Sequence, residues 1–313
     1  MSSEVINYSI VVPVYNSEKT LDELTSIIKN VFNNLNKTYE IILIDDCSRD
    51  SSWGIMQKLN KCNKNIKVIH LIRNFGQHNA IICGFHHSKG KYVITLDDDL
   101  QHPPEEIIKL INKINEDYMV VYGKYIEKKH SIFENFLSNG FQYLIHVILK
   151  IPKNIYLSSF AIYDLRVIKN MCTIKNSFPF LFALTTASAP TDKITNVLIN
   201  HNERKVGKSN YGIIKYFKYS LNLIINYSSL PLQLVGIIGI IISIVSIIVG
   251  TSIVVRKALN PDYGVMGWNS LMVSITFLNG ITLMSVAVIG EYLRRILAET
   301  SYGQQYAIGE MYL

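Results

Sequence analysis

The sequence predicts an α/β fold with a doubly wound, mostly parallel sheet, followed by a hairpin of two membrane-spanning helices. Strand-like and helical patterns alternate over residues 8–122, which is typical of βαβ units. No charged residue occurs in 219–255 or in 263–290. Hydrophobic residues make up 49% of the 313 residues, and mean hydropathy is +0.19. This composition excludes a disordered chain.

The elements of the sheet follow from short apolar segments and the helical patterns between them. Strands are expected at Tyr8–Val14, Tyr39–Ile44, Ile66–Leu71, Tyr92–Leu96 and Tyr118–Tyr122, with a later one at Lys193–His201. Helices are expected at Leu21–Phe32, Ser52–Leu59, Asn79–Ser88 and Glu105–Asn115. Thr20 and Glu23 have the spacing of a capping box at the start of the first helix. Ligands of such sheets bind at the carboxyl ends of the strands.

The two uncharged segments predict membrane helices at about 232–255 and 268–290, because each segment exceeds the ~20 apolar residues that a span needs. The alternative is a pair of central helices in a soluble bundle. We expect a cytoplasmic domain over 1–212 and an amphipathic interfacial helix over 213–230. Residues 231–313 then hold the two membrane helices and a short cytoplasmic tail.

The charge balance narrows the classes of partner. Lys and Arg number 31 against 24 Asp and Glu, for a net charge of +7. Such a surplus suits nucleic acid, an anionic membrane surface or phosphorylated substrates. No nucleic-acid-binding motif is present, so we expect no nucleic-acid partner. The four cysteines form no CxxC pair, which indicates a reduced, intracellular domain.

Acidic residues follow two of the predicted strands. Asp97, Asp98 and Asp99 follow the fourth strand, and Asp45 and Asp46 end the second. Clustered acids repel one another unless a cation lies between them. Hard ions such as Mg²⁺ and Mn²⁺ prefer carboxylate oxygens and bridge to substrate phosphates. A solvated acidic turn is the alternative for one triplet, but two acidic strand ends at one sheet edge favour a metal site.

Several motifs occur in a fixed order: VPVYNSE at 12–18, DDCS at 45–48, RNFGQ at 73–77, DDDLQHPPE at 97–105, ERKVGKSNY at 203–211 and GEYLRR at 290–295. In these motifs the chain resembles glycosyltransferase family 2, which has the GT-A fold, and within it the polyprenyl-phosphate branch. The resemblance implies inverting, metal-dependent transfer of one sugar from a nucleotide-diphosphate sugar to polyprenyl (undecaprenyl) phosphate. UDP is the favoured nucleotide, and the cofactor would be Mg²⁺ or Mn²⁺.

The resemblance also implies roles for individual residues. The donor nucleotide sugar would contact Pro13, Tyr15, Glu18, Asp46, Asp97 and Asp98. The metal would be held by Asp97, Asp99 and Gln101. The acceptor phosphate would be bound by Lys124, Ser138, Arg204 and Lys208, and the catalytic set would be Asp97, Asp99 and Arg204. Alternatives stay open: Pro13 and Tyr15 as packing residues, Arg204 and Lys208 as a lipid-binding patch, and Lys124 as part of a solvated face.

Three positions depart from the family pattern: Cys47 replaces the usual glycine, Ala161 an arginine and Asn135 a lysine. Lys124, Lys128 and Lys129 could supply the missing positive charge.

Because of these departures, a non-catalytic, membrane-tethered nucleotide-sugar binding protein is one alternative. A polysaccharide synthase is another, although no QxxRW motif is present. We expect a multi-pass protein of the cell (inner) membrane with its catalytic domain and C-terminus cytoplasmic, and a homo-oligomer is left open.

Overall fold

The structure is a computed structural model that describes residues 6–125, 143, 145–148, 151–152, 154–174, 179–200, 224–225, 228, 230–260, 267–302 and 305–313. The chain forms two compact units. The first comprises Met1–Ser220 together with Gly303–Leu313, and the second comprises Leu221–Tyr302.

The first unit is built on an eight-stranded mixed sheet. Its strands are β1 (Tyr8–Val14), β2 (Tyr39–Asp45), β3 (Ile66–Leu71), β4 (Tyr92–Thr95), β5 (Val120–Tyr125), β6 (Ala161–Asp164), β7 (Ile194–Ile199) and β8 (Ile308–Tyr312). The spatial order is β7-β5-β6-β4-β1-β2-β3-β8. β1 to β4 are mutually parallel, whereas β6 is antiparallel to β4 and β5, and β8 is antiparallel to β3. The carboxyl ends of β1, β2 and β4 therefore share one edge.

The described part of this unit also contains the helices α1 (Leu21–Leu35), α2 (Ser52–Cys62), α3 (Gln77–His87), α4 (Ile107–Ile114), α5 (Leu165–Thr173) and α6 (Leu181–Ser188). α1 shows why they pack on the sheet. Its buried side chains include Leu21, Leu24, Ile28 and Phe32, which recur at three- and four-residue spacing and so form one apolar face. That face joins a core with the fully buried residues of β1 and β2.

A buried polar network joins the opposite, amino-terminal edge of the central strands. The Glu40 carboxylate accepts hydrogen bonds from Ser9 Oγ at 2.5 Å and from the Lys89 backbone N–H at 2.7 Å. Lys67 Nζ lies 2.5 Å from its other oxygen. Because a buried charge is costly unless it is paired and hydrogen-bonded, these contacts fix β1, β2 and β3 to the turn before β4.

Most of the expected elements are present, with three corrections. The sheet is mostly parallel, as expected, but it is mixed: β6 and β8 are antiparallel additions that the sequence did not predict. The capping box is wrong: Thr20 makes no side-chain cap, and its hydroxyl instead donates to the Ser17 carbonyl at 3.2 Å. The last residues, expected as a tail, form β8 in the first unit.

The second unit contains two long helices, α7 (Leu230–Leu259) and α8 (Trp268–Tyr302). They cover both segments in which membrane helices were predicted. Many of their described apolar side chains are exposed, among them Ile240, Ile248 and Leu283. Within the described residues, none of the helices combines the length and apolar character needed to cross a membrane. Most of the predicted interfacial helix over 213–230 lies outside the described residues.

Candidate active site

Three loops meet at the carboxyl edge of β1, β2 and β4, and hydrogen bonds connect them directly. The Asn16 backbone N–H donates to Ser48 Oγ at 2.9 Å, and the Arg49 N–H donates to Asn16 Oδ1 at 2.8 Å. Asn16 adopts a left-handed conformation with φ of 56°, which asparagine tolerates better than most residues. The loop after β1 is thus held against the loop after β2.

Asp98 connects the loop after β1 to the loop after β4. Its Oδ2 accepts hydrogen bonds from Ser17 Oγ at 2.5 Å and from the Tyr15 backbone N–H at 3.1 Å. Burial raises the pKa of the Asp98 carboxyl to about 7, and the neighbouring charges of Asp97 and Asp99 add to this rise. Asp98 therefore fixes the position of Tyr15, whose side chain is exposed.

Asp97 is held by residues from other parts of the chain. Its Oδ1 accepts a hydrogen bond from Gln77 Nε2 at 2.7 Å, and its Oδ2 accepts one from Ser159 Oγ at 2.5 Å. His102 Nδ1 lies 3.7 Å from the same Oδ2. Contacts from the start of α3 and from the residues before β6 thus fix the orientation of this carboxylate.

Asp99 lies in the tight turn that follows. Its Oδ1 accepts the Gln101 backbone N–H at 3.1 Å, and Leu100 between them has φ of 61°. Among the described residues, no group of three or more His, Cys, Asp or Glu side chains is placed to hold a metal. One or two carboxylates suffice for Mg²⁺ or Mn²⁺ when substrate phosphates complete the coordination, and Asp97 and Asp99 supply ligands of this chemical type.

Asp46 anchors a fourth segment, the RNFGQ stretch before α3. Its two carboxylate oxygens accept the backbone N–H groups of Phe75 and Gly76 at 2.7 and 2.9 Å. Burial raises the pKa of Asp46, while these two hydrogen bonds oppose the rise. The following residue, Cys47, has φ of 60°, a conformation that favours glycine and so accounts for the glycine usual in the family.

The other residues predicted to contact the donor nucleotide sugar lie in or next to the loop after β1. Glu18 accepts the Ser51 backbone N–H at 3.0 Å and so supports the contact between the first two loops. Pro13 is buried within β1. Ala161 is buried in β6, where it pairs with Thr95 and Tyr122.

The predicted acceptor residues are mostly beyond the described part of the chain. Lys124 is exposed near the end of β5. Ser138, Arg204 and Lys208 lie outside the described residues. So do Asn135, which replaces a lysine of the family pattern, and Lys128 and Lys129, which were expected to supply the missing positive charge. Their roles stay predictions.

Sequence reasoning missed four residues that support the carboxylates: Ser17, Gln77, His102 and Ser159. Gln77 and His102 lie within recognised motifs, so their positions were marked but their partners were not. Ser159 is 62 residues from Asp97 along the chain, and no local pattern indicates such a contact.

Comparison with known proteins shows which family the sequence matches. A family model described as Glycosyl transferase family 2 matches residues 9–172. The chain is 33% identical to the uncharacterized glycosyltransferase YkcC of Bacillus subtilis (strain 168), over 99% of this chain and 95% of that protein. It is 30% identical to an undecaprenyl-phosphate 4-deoxy-4-formamido-L-arabinose transferase of Shewanella sediminis (strain HAW-EB3), over 97% and 92% of the two chains.

The fold is also similar to a solved structure. Glucosyl-3-phosphoglycerate synthase from Mycobacterium tuberculosis, crystallised with Mn²⁺, UDP and glucosyl-3-phosphoglycerate, matches with a TM-score of 0.53 at 15% identity. The match covers 70% of this chain and 78% of that one. At this identity the likeness concerns the fold, which is therefore GT-A-like.

Proposed function

The chain belongs to glycosyltransferase family 2, and we propose that it transfers a single sugar from a nucleotide-diphosphate donor to the phosphate of a polyprenyl lipid. The observation that carries the proposal is the convergence of Asp97, Asp98 and Asp99 with the loops after β1 and β2 at one sheet edge. The acceptor class is supported by full-length relatives named for undecaprenyl phosphate.

We propose that the donor is a UDP-sugar bound with Mg²⁺ or Mn²⁺. Asp97 and Asp99 would hold the metal with the donor's diphosphate, and Gln101 lies in the same turn. When bound, the metal would neutralise charge on the leaving diphosphate. A protein of similar fold was crystallised with Mn²⁺ and UDP, which agrees with this choice of ligands. The loops around Tyr15, Glu18 and Asp46 would surround the nucleoside.

The reaction would be one in-line displacement. An oxygen of the acceptor phosphate attacks the anomeric carbon, the new carbon–oxygen bond forms on the face opposite the leaving group, and the nucleoside diphosphate departs with inversion. The acceptor phosphate is already anionic at neutral pH, so no strong general base is needed. The protein would contribute mainly orientation and electrostatic stabilisation, with Gln77 and Ser159 fixing Asp97.

We also propose that the reaction takes place at the cytoplasmic face of the cell membrane. Residues 219–255 and 263–290 contain no charge in the full sequence, and the described side chains of α7 and α8 expose large apolar residues that lipid would cover. Basic residues at the outer ends of these segments, Lys215, Lys218, Arg294 and Arg295, outnumber Arg256 and Lys257 in the loop between them, in agreement with the positive-inside rule.

A transfer assay tests the proposal. Detergent-solubilised protein is incubated with a panel of labelled UDP- and GDP-sugars, undecaprenyl phosphate and Mn²⁺, and the lipid is extracted. We expect label from one donor in the lipid fraction, none with the Asp97→Asn variant, and none without undecaprenyl phosphate. Binding of a nucleotide sugar without any transfer would instead favour the non-catalytic alternative.

A further inference from the structure

A row of polar side chains crosses three neighbouring strands and leads from the sheet edge to the donor loops. In the strand register Asp45 of β2 pairs with His70 of β3, and His70 pairs with Glu310 of β8. His70 Nδ1 lies 2.6 Å from Asp45 Oδ2. The Asp45 side chain is fully buried, whereas that of His70 is 24% exposed, so His70 lies between the buried carboxylate and the edge strand.

Asp45 in turn fixes the turn that begins the second loop. Its other oxygen, Oδ1, accepts the Ser48 backbone N–H at 3.1 Å across the left-handed residue Cys47. Ser48 Oγ then accepts the Asn16 N–H, and Asp46, the next residue, holds the backbone of Phe75 and Gly76. The orientation of one buried carboxylate therefore influences three loops of the candidate site.

His70 is itself held by aromatic residues from α2 and β8. The Trp53 ring lies 5.0 Å from the His70 ring and 6.1 Å from the Tyr312 ring, measured between centroids. Tyr312 OH donates to Glu310 Oε2 at 3.3 Å. Met311, between them, points to the opposite face because side chains alternate along a strand.

We infer that His70 is a positioning residue for the nucleotide site, and that β8 keeps it in place through Trp53 and Tyr312. The inference rests on the proposed donor binding and adds a residue and a strand that lie outside the predicted site. Removing the His70 N–H group leaves the buried Asp45 carboxylate with one hydrogen bond fewer. Because hydrogen bonds to charged groups are strong, we expect the affinity for the nucleotide to fall about tenfold.

The experiment compares matched variants of the full chain. His70→Phe keeps a ring but loses the hydrogen bond to Asp45, and His70→Asn keeps an N–H donor. Tyr312→Ala removes the β8 aromatic contact, whereas Met311→Ala changes the same strand on its other face. For each, binding of UDP with Mn²⁺ is measured by calorimetry, with GDP as a second arm. Hydrogen exchange is followed at the Ser48 amide.

We expect His70→Phe and Tyr312→Ala to bind UDP about tenfold more weakly and to exchange the Ser48 amide faster. Met311→Ala should stay within about twofold of wild type, since it removes no contact on this path. His70→Asn keeps the hydrogen bond to Asp45 but loses the ring contact with Trp53, so it should weaken UDP binding less than His70→Phe does. In turnover assays the KM for the donor should rise while the KM for undecaprenyl phosphate does not, a split that general destabilisation would not produce.

Two results would overturn the inference. One is equal loss in His70→Phe and His70→Asn, which would mean that the hydrogen bond to Asp45 is irrelevant. The other is unchanged Ser48 exchange in both His70→Phe and Tyr312→Ala. A wild-type protein that binds neither UDP nor GDP overturns the proposed function and with it the donor role of His70. Hydrogen exchange at the Ser48 amide separates this case from the other one, because it reports whether His70 holds the turn even when no nucleotide binds.

Discussion

Adjacent carboxylates of the acidic triplet have different partners. Asp97 is bound by Gln77 and Ser159, whereas Asp98 is bound by Ser17 and the Tyr15 backbone. The Asp98 side chain therefore has a different orientation from that of Asp97. A pKa of about 7 also means that Asp98 carries a proton part of the time near neutral pH, so a neutral amide is a close substitute there.

Replacement of each of the three carboxylates should therefore lower activity by a different factor. We expect Asp97→Asn and Asp99→Asn each to lower kcat at least about 100-fold, because a metal ion that neutralises the leaving group contributes several kcal/mol. Asp98→Asn, the matched control, should lose less than about tenfold. Initial rates with Mn²⁺, with Mg²⁺ and with EDTA provide the measurement. Full wild-type activity in EDTA would contradict the metal assignment.

His78, at the start of α3, predicts a pH dependence of stability. Its Nδ1 is buried and has no hydrogen-bond partner among the described residues, and its ring meets Phe180 edge-on at 5.5 Å. Burial lowers its pKa from 6.5 to about 4. Between these two values the unfolded chain binds more protons than the folded chain, so the contribution of His78 is complete above pH 6.5 and is lost as pH falls towards 4.

Replacement of His78 by Phe keeps the edge-on ring contact and removes the titration. We expect the free energy of unfolding of the variant to fall less steeply below pH 6.5, by at most about 1.4 kcal/mol per pH unit. Urea unfolding of the full chain at several pH values, followed by Trp53 fluorescence in a Trp268→Phe background, measures the difference. Parallel pH profiles for wild type and His78→Phe would show that the imidazole is accessible to protons.

At the scale of elements, two helical glycines have opposite surroundings. A Cβ on Gly84 of α3 would lie 2.4 Å from Val11 Cγ1 and 2.8 Å from Ile44 Cδ1, whereas a Cβ on Gly54 of α2 would meet nothing within 4 Å. Gly84 therefore permits the close approach of α3 to β1 and β2, while Gly54 carries only the usual helical cost of glycine.

Alanine at these positions should have effects of opposite sign. Gly84→Ala should lower the free energy of unfolding by about 1–3 kcal/mol through overpacking. Gly54→Ala should raise it by about 0.5–1 kcal/mol through helix propensity. Urea unfolding curves of both variants give the comparison, and equal stabilisation by both would mean that α3 can move away from the sheet without cost.

The elements that the sequence predicted are those with strong local patterns. β1 and β3 match the predicted bounds because both are short segments rich in Val and Ile between polar turns. β6 has four residues and β8 reads IGEMY, so neither has the apolar run that marks a buried strand. Both are placed by pairing with strands far away in sequence, which local patterns do not encode.

The candidate site divides in the same way. Its carboxylates could be predicted because acids at strand ends are conspicuous and the parallel topology brings those ends together. The hydroxyl and amide groups that orient them could not, since Ser159 and Gln77 reach Asp97 only through tertiary contacts. The position of Cys47 could be recognised as unusual from the sequence, but its left-handed φ became visible only in the structure.

At the scale of the whole molecule, the chain leaves the first unit after Ser220 and returns to it at Gly303. β8 pairs with β3 in the sheet of the first unit. If the segment between enters a bilayer, both of its ends lie on the side where that sheet lies, so the number of crossings is even. Two uncharged segments, 219–255 and 263–290, agree with two crossings.

Cysteine labelling tests this topology. In a background without the other native cysteines, exposed Cys62 reports the side of the sheet, and new cysteines at Asp262 and Tyr302 report the two ends of the second crossing. With an impermeant maleimide on intact cells, we expect Asp262→Cys to react. Tyr302→Cys and Cys62 should react only after permeabilisation, because a hairpin places the loop outside the cell and both flanking segments inside. Reaction of Asp262→Cys and Tyr302→Cys from the same side would contradict the hairpin and leave α7 and α8 at the membrane surface.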